Sequence, residues 1–219
     1  MRNVGSAEVF LDYFISHLQS HGIAVLGKAK ICYARQDRQV QWIYTKKSPP
    51  LQEIATTTLR HSINLYSEAF LKNVGLKHFN FASTDNGLKV FEKFLTSLGL
   101  QKDTFYLFDG SGLSHKNLIS AAGVTKALES LKVEESFAEF LSSIPKPSNY
   151  SAFSDLADCI GQRVYIKSGS ASQIFAFAGY IRTEKNKFLS FCFICNNCPK
   201  HREAFYLLVN KLLQVASKL

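Results

Sequence analysis

Three short segments of the sequence carry side chains that can move protons and hold a carbonyl or carboxylate group. They are the tripeptide Ser-Ile-Asn at 62–64, the hexapeptide Asp-Gly-Ser-Gly-Leu-Ser at 109–114 and the tetrapeptide Lys-Ser-Gly-Ser at 167–170. Hydroxyl, amine and amide groups serve acyl transfer, which needs a proton route and hydrogen-bond donors for an oxyanion. Each segment alone occurs by chance in many proteins, so their order along the chain carries the argument.

The elements that must position these segments follow from hydrophobic spacing and from turn residues. Strands near both ends of the chain with helices between them predict an α/β (α+β) fold, with one sheet covered by helices in a single domain over 1–219. Helices are predicted over 6–21, from about 51, and over 66–73, 87–98, 117–131, 134–142 and 200–217, and strands over 23–33, 39–45, 103–108, 163–167, 173–182 and 187–196, with a loop over 144–155.

Composition excludes several classes of protein. The chain has 219 residues, 46% hydrophobic and 20% charged, which excludes wholesale disorder. No apolar run approaches the ~18–20 residues of a membrane span, and the N-terminal segment lacks the pattern of a signal peptide. The net charge of +9 favours anionic partners, but the basic residues are scattered and are interpreted as a solvated surface. Nucleic-acid binding rests on this charge alone and is not predicted.

The five cysteines do not predict a disulfide framework, because their number is odd and three of them are crowded together. The spacing Cys192-x-x-Cys195-x-x-Cys198-x-x-His201 is that of a metal site on paper. Cys192 and Cys195 fall on a predicted strand, however, where positions three apart face opposite sides. Buried or half-buried thiols are therefore predicted, with no metal site and no cofactor.

The order of the motifs is that of the active-serine penicillin-binding enzymes, in which Ser-x-Asn precedes Lys-[Ser/Thr]-Gly on a strand. The segments SPPLQEIATTTLRHSINLYSEAFLKNVG, DGSGLSHKNLIS and VYIKSGSASQIFAFAGYIRT resemble the D-alanyl-D-alanine carboxypeptidase/endopeptidases, which are low-molecular-mass class C penicillin-binding proteins. The resemblance runs from about residue 6 to the C-terminus. It implies an antiparallel sheet flanked by helices, as in the DD-peptidase/β-lactamase-like transpeptidase domain.

The resemblance also implies an acyl-enzyme mechanism on peptidoglycan stem peptides, with β-lactams as further ligands. Ser62 would pass a proton to the departing nitrogen, Asn64 would hydrogen-bond the substrate amide, and Lys167 would supply positive charge near both Ser62 and the substrate carboxylate. Ser168 and Ser170 would offer hydroxyl groups to that carboxylate, and the backbone N–H of Ser170 would be one donor to the oxyanion. Gly169, which has no side chain, would leave room for the substrate along the strand edge.

The nucleophile of this family lies in a Ser-x-x-Lys motif, which this sequence does not place where the family has it. The one Ser-x-x-Lys is Ser143–Lys146, which follows Ser-x-Asn and contains Pro145, so it is rejected as the nucleophile. Ile63 and His115 also stand where the family often has Asp and Arg. The chain is therefore expected to be the C-terminal part of the domain, incomplete at its N-terminus, and inactive alone.

An alternative of another class stays open: a non-catalytic, degenerate homologue that binds peptidoglycan or a partner chain. The family implies a periplasmic or cell-envelope location. Without a preceding segment, the last helix is expected to expose apolar side chains and to promote self-association or binding of a complementary fragment. Those side chains are Phe205, Leu208, Leu212 and Val215.

Overall fold

The computed structural model describes residues 6–31, 44–197 and 202–219, and its contacts divide the chain into two units, Met1–Lys47 and Ser48–Leu219. In the first unit, helix α1 spans Ser6–Ser20, as the apolar spacing predicted. Gly22 follows the helix, and its positive φ of 74° lets Ile23 donate a backbone hydrogen bond to the carbonyl of Leu18. The single domain predicted over 1–219 stays a prediction.

The strand predicted over 23–33 is wrong for residues 23–31, which form no strand. Gly27, with a φ of +88°, interrupts the extended backbone there. Residues 32–33 and most of the strand predicted over 39–45 lie outside the described residues.

Three helices of the second unit carry the first motif: α2 (Leu51–His61), α3 (Asn64–Phe79) and α4 (Thr84–Ser97). Pro50 precedes α2, where its fixed φ suits a helix start. The Ser83 hydroxyl caps α4 by accepting a hydrogen bond from a backbone N–H of the first turn. All three helices were predicted, but with later starts for α3 and α4.

Helices α3 and α4 cross at glycines. A Cβ on Gly87 would lie 2.2 Å from the carbonyl oxygen of Leu71, and a Cβ on Gly75 would lie 2.7 Å from the Gly87 nitrogen. The two backbones therefore approach more closely than any larger residue allows. This crossing fixes the direction of α3, whose first residue is Asn64.

A two-stranded ribbon carries the second motif in its connection. Strand β1 (Phe105–Tyr106) pairs antiparallel with β2 (Leu118–Ile119), and helices α5 (Ala121–Leu131) and α6 (Phe137–Ser143) follow. Residues 117–120 were predicted as helix, but α5 begins only at Ala121 because Ser120 accepts a hydrogen bond from the Gly123 N–H and acts as its N-cap.

A three-stranded antiparallel sheet carries the third motif. Its order is β3 (Val164–Ala171), β4 (Ile174–Arg182), β5 (Phe188–Asn196), so β3 lies at an edge. Helix α7 (Ser154–Ile160) precedes β3, and α8 (Arg202–Ala216) is the last helix described. The sequence analysis did not predict α7, which begins within the loop predicted over 144–155 and continues beyond it.

Helices cover both faces of this sheet, as predicted. One face packs on α7 and α8 through a core of fully buried side chains that includes Leu156, Ile166 and Val209. On the other face, Tyr180 packs against Leu141, and its hydroxyl donates a 2.7 Å hydrogen bond to a carbonyl of α5. No helix within the described ranges is long and apolar enough to cross a membrane.

Helix α8 has an exposed apolar stripe on the side away from the sheet. Leu208, Leu212 and Val215 are 54%, 43% and 63% exposed, whereas Phe205 packs against the ring of Phe177. The exposure matches three of the four residues named from the sequence. Self-association stays a prediction.

Replacing Gly87 by Ala is expected to destabilise the protein by about 3 kcal/mol, the upper part of the range for overpacking. The new methyl group would meet a backbone oxygen, which cannot move aside, and this outweighs the gain of ~1 kcal/mol in helix propensity. Urea denaturation measures the change. Gly169→Ala is the matched control, because its Cβ would meet only a methyl group at 3.8 Å, and a comparable loss there would contradict the steric argument.

Candidate active site

Ser62 and Asn64 occupy the corner between two helices. Ser62 ends α2 in the left-handed conformation, with φ 53° and ψ 50°, and Asn64 begins α3. A residue other than glycine takes this conformation rarely, and it turns the chain sharply enough to start a second helix after one linking residue, Ile63. The Ser-x-Asn motif therefore lies between helices, as predicted.

Lys167 reaches this corner from the sheet. Its Nζ donates a 2.5 Å hydrogen bond to the Ser62 Oγ and a 2.7 Å hydrogen bond to the carbonyl of Ser168. The two side chains are separated by 105 positions in the sequence, so only the fold brings them together. The first and third motifs thus meet at one point, while the second is anchored elsewhere on α3.

Burial lowers the pKa of the Lys167 ammonium from its ordinary value. Among the described residues, none supplies a carboxylate that forms an ion pair with this amine. The neutral amine is therefore more accessible near neutral pH than in an exposed lysine. An amine of this kind can exchange a proton with the hydroxyl that it contacts.

The outer edge of β3 presents backbone donors. The Ile166 N–H donates to the Pro145 carbonyl at 2.9 Å, and the Ser168 N–H donates to the Tyr150 hydroxyl at 3.3 Å. Since alternate residues of a strand point their N–H groups the same way, the Ser170 N–H points to this edge as well. Gly169 and Ser170 are exposed, so the edge beyond Tyr150 is open to solvent.

Asn64 also faces solvent. Its side chain is exposed, and no hydrogen bond joins it to another part of the described chain. The amide offers both donors and an acceptor, which is what pairing with a peptide group requires. The Asn64 amide and the donors at the end of β3 are therefore unused, and both belong to motifs that meet at the contact between Ser62 and Lys167.

The second motif forms a rigid turn. The Asp109 carboxylate accepts hydrogen bonds from the Gly112 N–H at 2.7 Å, the Ser114 N–H at 2.8 Å and the Asn117 amide at 2.9 Å. Burial alone would raise the pKa of Asp109, but these hydrogen bonds and one from Ser111 outweigh it and hold the pKa below its usual range. Asp109 therefore holds the 109–114 turn together through hydrogen bonds.

Glu68 attaches this turn to α3, and the sequence reasoning missed it. Its carboxylate accepts a 2.7 Å hydrogen bond from the Gly110 N–H and a 2.5 Å hydrogen bond from the Thr84 hydroxyl. Glu68 lies four residues after Asn64, on the same face of the helix. No local signal in the sequence points to this role, because the partners of Glu68 lie 16 and 42 residues away.

The rejected Ser-x-x-Lys has other partners. Ser143 is 2% exposed and contacts the Thr56 hydroxyl at 2.9 Å. The Lys146 Nζ donates to the Gln162 carbonyl at 2.7 Å and lies 3.3 Å from the centroid of the Tyr165 ring. Burial, aided by the charge of Arg182, lowers the pKa of Lys146 to about 8. Neither residue contacts Ser62 or Lys167.

The cysteine motif lies partly outside the described residues, which end at 197 and resume at 202. Cys192 and Cys195 lie on β5, three positions apart and hence on opposite faces. Burial raises the pKa of the Cys192 thiol to about 11, so this group is protonated at neutral pH. Within the described ranges, no three His, Cys, Asp or Glu side chains come together as a metal site.

The sequence from residue 2 to residue 210 matches the D-Ala-D-Ala carboxypeptidase 3 (S13) family. The chain belongs to this family. It is 26% identical over 178 residues to a D-alanyl-D-alanine carboxypeptidase of Actinomadura sp. (strain R39), which covers 77% of this chain and 33% of the relative. It is 24% identical over 182 residues to the D-alanyl-D-alanine carboxypeptidase DacB of Haemophilus influenzae, a match that covers 80% of this chain and 38% of that relative. This S13 chain thus spans about a third of the length of its curated relatives.

Solved structures share the fold. Penicillin-binding protein 4 (dacB) of Haemophilus influenzae, complexed with a β-lactam, superposes with a TM-score of 0.82 at 18% identity. The superposition covers 100% of this S13 chain and 52% of the chain of that protein. The TLA-3 extended-spectrum β-lactamase superposes with a TM-score of 0.57 at 14% identity, over 76% of this S13 chain and 64% of the β-lactamase chain. The predicted penicillin-binding, β-lactamase-like fold is confirmed.

The Lys167 amine is expected to titrate below the ordinary lysine value, because burial disfavours its charged form. The unfolded chain then binds more protons than the folded chain between the two pKa values, so the free energy of unfolding rises with pH through that window. Carbon-13 NMR of labelled lysine, assigned with Lys167→Met, measures the titration. Lys167→Met should also reduce the rise in stability, and the part that remains belongs to Lys146, whose pKa is lowered to about 8. A midpoint at or above the ordinary value would contradict the assignment.

Proposed function

We propose that the chain carries part of the site of a serine-type D-Ala-D-Ala carboxypeptidase that acts on peptidoglycan stem peptides. This part protonates the leaving group and binds the substrate carboxylate. The observation that carries the proposal is the 2.5 Å contact between the Lys167 Nζ and the Ser62 Oγ beside an open strand edge. The S13 family membership supplies the reaction class. By the same proposal, the site binds β-lactams and works in the periplasm or cell envelope.

The substrate would lie along the open edge of β3 as an added strand. The Ser170 N–H points to this edge and would donate to the carbonyl oxygen of the scissile bond, where negative charge develops. Gly169 has no side chain, and only the methyl group of Ala176 approaches its Cβ position. On the opposite side, the exposed Asn64 amide would pair with the substrate's own amide group.

The reaction would break the bond between the two D-Ala residues. A serine hydroxyl adds to the penultimate carbonyl carbon and loses its proton to the Lys167–Ser62 pair, the C–N bond breaks, and D-Ala leaves after its nitrogen takes up a proton. Ser62 would deliver that proton and recover one from Lys167, whose lowered pKa suits the exchange. Water then hydrolyses the serine ester and releases the shortened peptide.

The attacking serine has no good candidate in this sequence. The one Ser-x-x-Lys is at 143–146, and its serine is buried against the Thr56 hydroxyl. Loss of the nucleophile costs on the order of 10⁶ in turnover in a comparable serine hydrolase. We therefore propose that the chain alone binds its ligands without turning them over.

A non-catalytic homologue that binds peptidoglycan or a partner chain is a second candidate, and the burial of Ser143 favours it. It shares the binding step with the first candidate and differs in the chemistry. Peptide binding measured by NMR tests recognition, and the intact mass after treatment with benzylpenicillin tests reaction with a serine.

The chain is expected to bind Nα-acetyl-D-Ala-D-Ala and not its L,L isomer, with shifts of the Gly169 and Ser170 amide signals in proton–nitrogen NMR. Asn64→Ala should weaken binding about tenfold, because one hydrogen-bonding amide is lost. Asn73→Ala, an exposed amide further along α3, is the matched control. Equal binding of both isomers, or shifts confined to other strands, would count against the proposed site.

Incubation with excess benzylpenicillin is expected to leave the intact mass of the chain unchanged, because no serine in it is placed as the nucleophile. Mass spectrometry of the whole protein measures the outcome, with Lys167→Ala treated in parallel. An adduct on one serine that is absent from Lys167→Ala would overturn the expected inactivity. It would also eliminate the non-catalytic candidate.

A further inference from the structure

The sheet has a second edge, formed by β5, and side chains of the α5 end cover its first half. The Ser190 N–H donates to the Glu129 carboxylate at 3.4 Å, and the Phe188 carbonyl accepts a 2.9 Å hydrogen bond from the Lys132 Nζ. Glu129 lies on α5 and Lys132 directly follows that helix. Since both backbone groups point away from β4, the even-numbered residues of β5 present their N–H and C=O groups to this edge.

The second half of the β5 edge is uncovered within the described ranges. Cys192, Ile194 and Asn196 share the outward orientation, and no hydrogen bond from another described element reaches their backbone groups. Natural edge strands are shielded by charged side chains, proline or bulges. Strand β5 has neither a charged residue nor a proline, and its pairing with β4 is continuous to Asn196. This half therefore offers a row of backbone donors and acceptors to another strand.

Helix α8 has one flank on the β3 side of the sheet and the other on the β5 side. Asn210 donates a 3.4 Å hydrogen bond to the carbonyl of Ala152, in the turn whose Tyr150 hydroxyl contacts β3. That flank therefore lies on the β3 side. Leu208 and Leu212 are each two residues from Asn210, which is ~200° around the helix. Their exposed side chains therefore lie on the β5 flank.

Leu208 lies beside the uncovered half of β5. One turn before it, Phe205 stacks on the ring of Phe177, and Phe177 is the register partner of Phe193 on β5. Phe193 lies between Cys192 and Ile194, so the exposed Leu208 side chain flanks the same stretch of edge. An apolar side chain and unpaired backbone groups thus form one continuous surface.

We propose that a second copy of this chain pairs with the uncovered half of β5, across a twofold axis perpendicular to the sheet at Ile194. Such an axis makes the two β5 strands antiparallel, joins two three-stranded sheets into one, and keeps both α8 helices on the same face. In this register Ile194 pairs with Ile194 of the partner subunit, and Cys192 pairs with Asn196 of the partner subunit. Leu208 is covered at the same interface.

The surface is complementary to itself, which favours a second copy over another protein. Neither β5 nor the flank that carries Leu208 and Leu212 presents a charge, so no like charges meet across the axis in a chain of net charge +9. The outermost pairs involve Cys192 and Asn196, so the contacts of Glu129 with Ser190 are kept. The β3 edges lie at the two ends of the joined sheet, where both stay open.

Sedimentation velocity over a range of concentrations tests the dimer, which is expected to predominate at about 100 µM. Ile194→Pro removes an outward N–H that β4 does not use, a change that an edge strand tolerates, and it should weaken dimerisation at least about tenfold. Hydrogen exchange of the unmodified chain provides a second measurement. The Ile194 amide should exchange more slowly as the protein concentration rises.

A pair of lysine substitutions on α8 tests the helical part of the interface. Leu208→Lys places two positive charges near the axis and should weaken dimerisation about tenfold. Leu207→Lys is the matched control, because Leu207 is 57% exposed but lies 100° further round the helix, and it should leave dimerisation unchanged. Both side chains are exposed, so both variants are expected to fold.

Each contrary result overturns a stated part of the proposal. A chain that stays monomeric at about 100 µM overturns the dimer. A dimer whose Ile194 amide shows no added protection, or which survives Ile194→Pro unchanged, overturns the pairing of β5. Equal effects of Leu207→Lys and Leu208→Lys overturn the place of the α8 flank. None of these measurements uses a peptide ligand, so their outcomes are independent of the proposed function.

Discussion

The contact between Lys167 and Ser62 depends on a short series of connections between α2 and β3. Thr56, one and a half turns before Ser62, hydrogen-bonds Ser143 at the end of α6, and Pro145 accepts a hydrogen bond from the Ile166 N–H beside Lys167. The helix that ends in Ser62 and the strand that carries Lys167 are thus joined through a partly buried hydroxyl pair and one backbone hydrogen bond. The Ser-x-x-Lys segment that was rejected as the nucleophile is part of the support that brings the Lys167 amine to the Ser62 hydroxyl.

The sequence predicted the parts of this arrangement that are local. Ser-x-Asn was placed between helices because Pro50 and the apolar spacing mark both sides, and Lys-Ser-Gly was placed on a strand by its apolar neighbours. The strand was predicted to stop at 167, because Ser and Gly favour turns, but pairing with β4 extends it to Ala171. Helix α7 was missed because it depends on burial of Leu156 against the sheet. Glu68 was missed because its partners lie 16 and 42 residues away.

Three of the cationic side chains lie close to β3. Lys146, Lys167 and Arg202 are each held by carbonyl groups, a hydroxyl or aromatic rings, and no described carboxylate pairs with any of them. No carboxylate of the described chain therefore offsets these cations, although burial lowers the pKa of both lysines. Under the proposed function, the remaining positive charge would favour an anionic peptide beside this strand.

The Tyr150 hydroxyl determines how a guest strand can be aligned. Because it occupies the Ser168 N–H, and Pro145 occupies that of Ile166, the Ser170 N–H is the outward donor of β3 that remains before the strand ends at Ala171. A guest chain that slid by two residues in one direction would have to displace a phenol, and in the other it would pass the end of the strand. Under the proposed function, the host's backbone and one tyrosine would set the alignment independently of the guest's side chains, so position rather than sequence would choose the bond presented for cleavage.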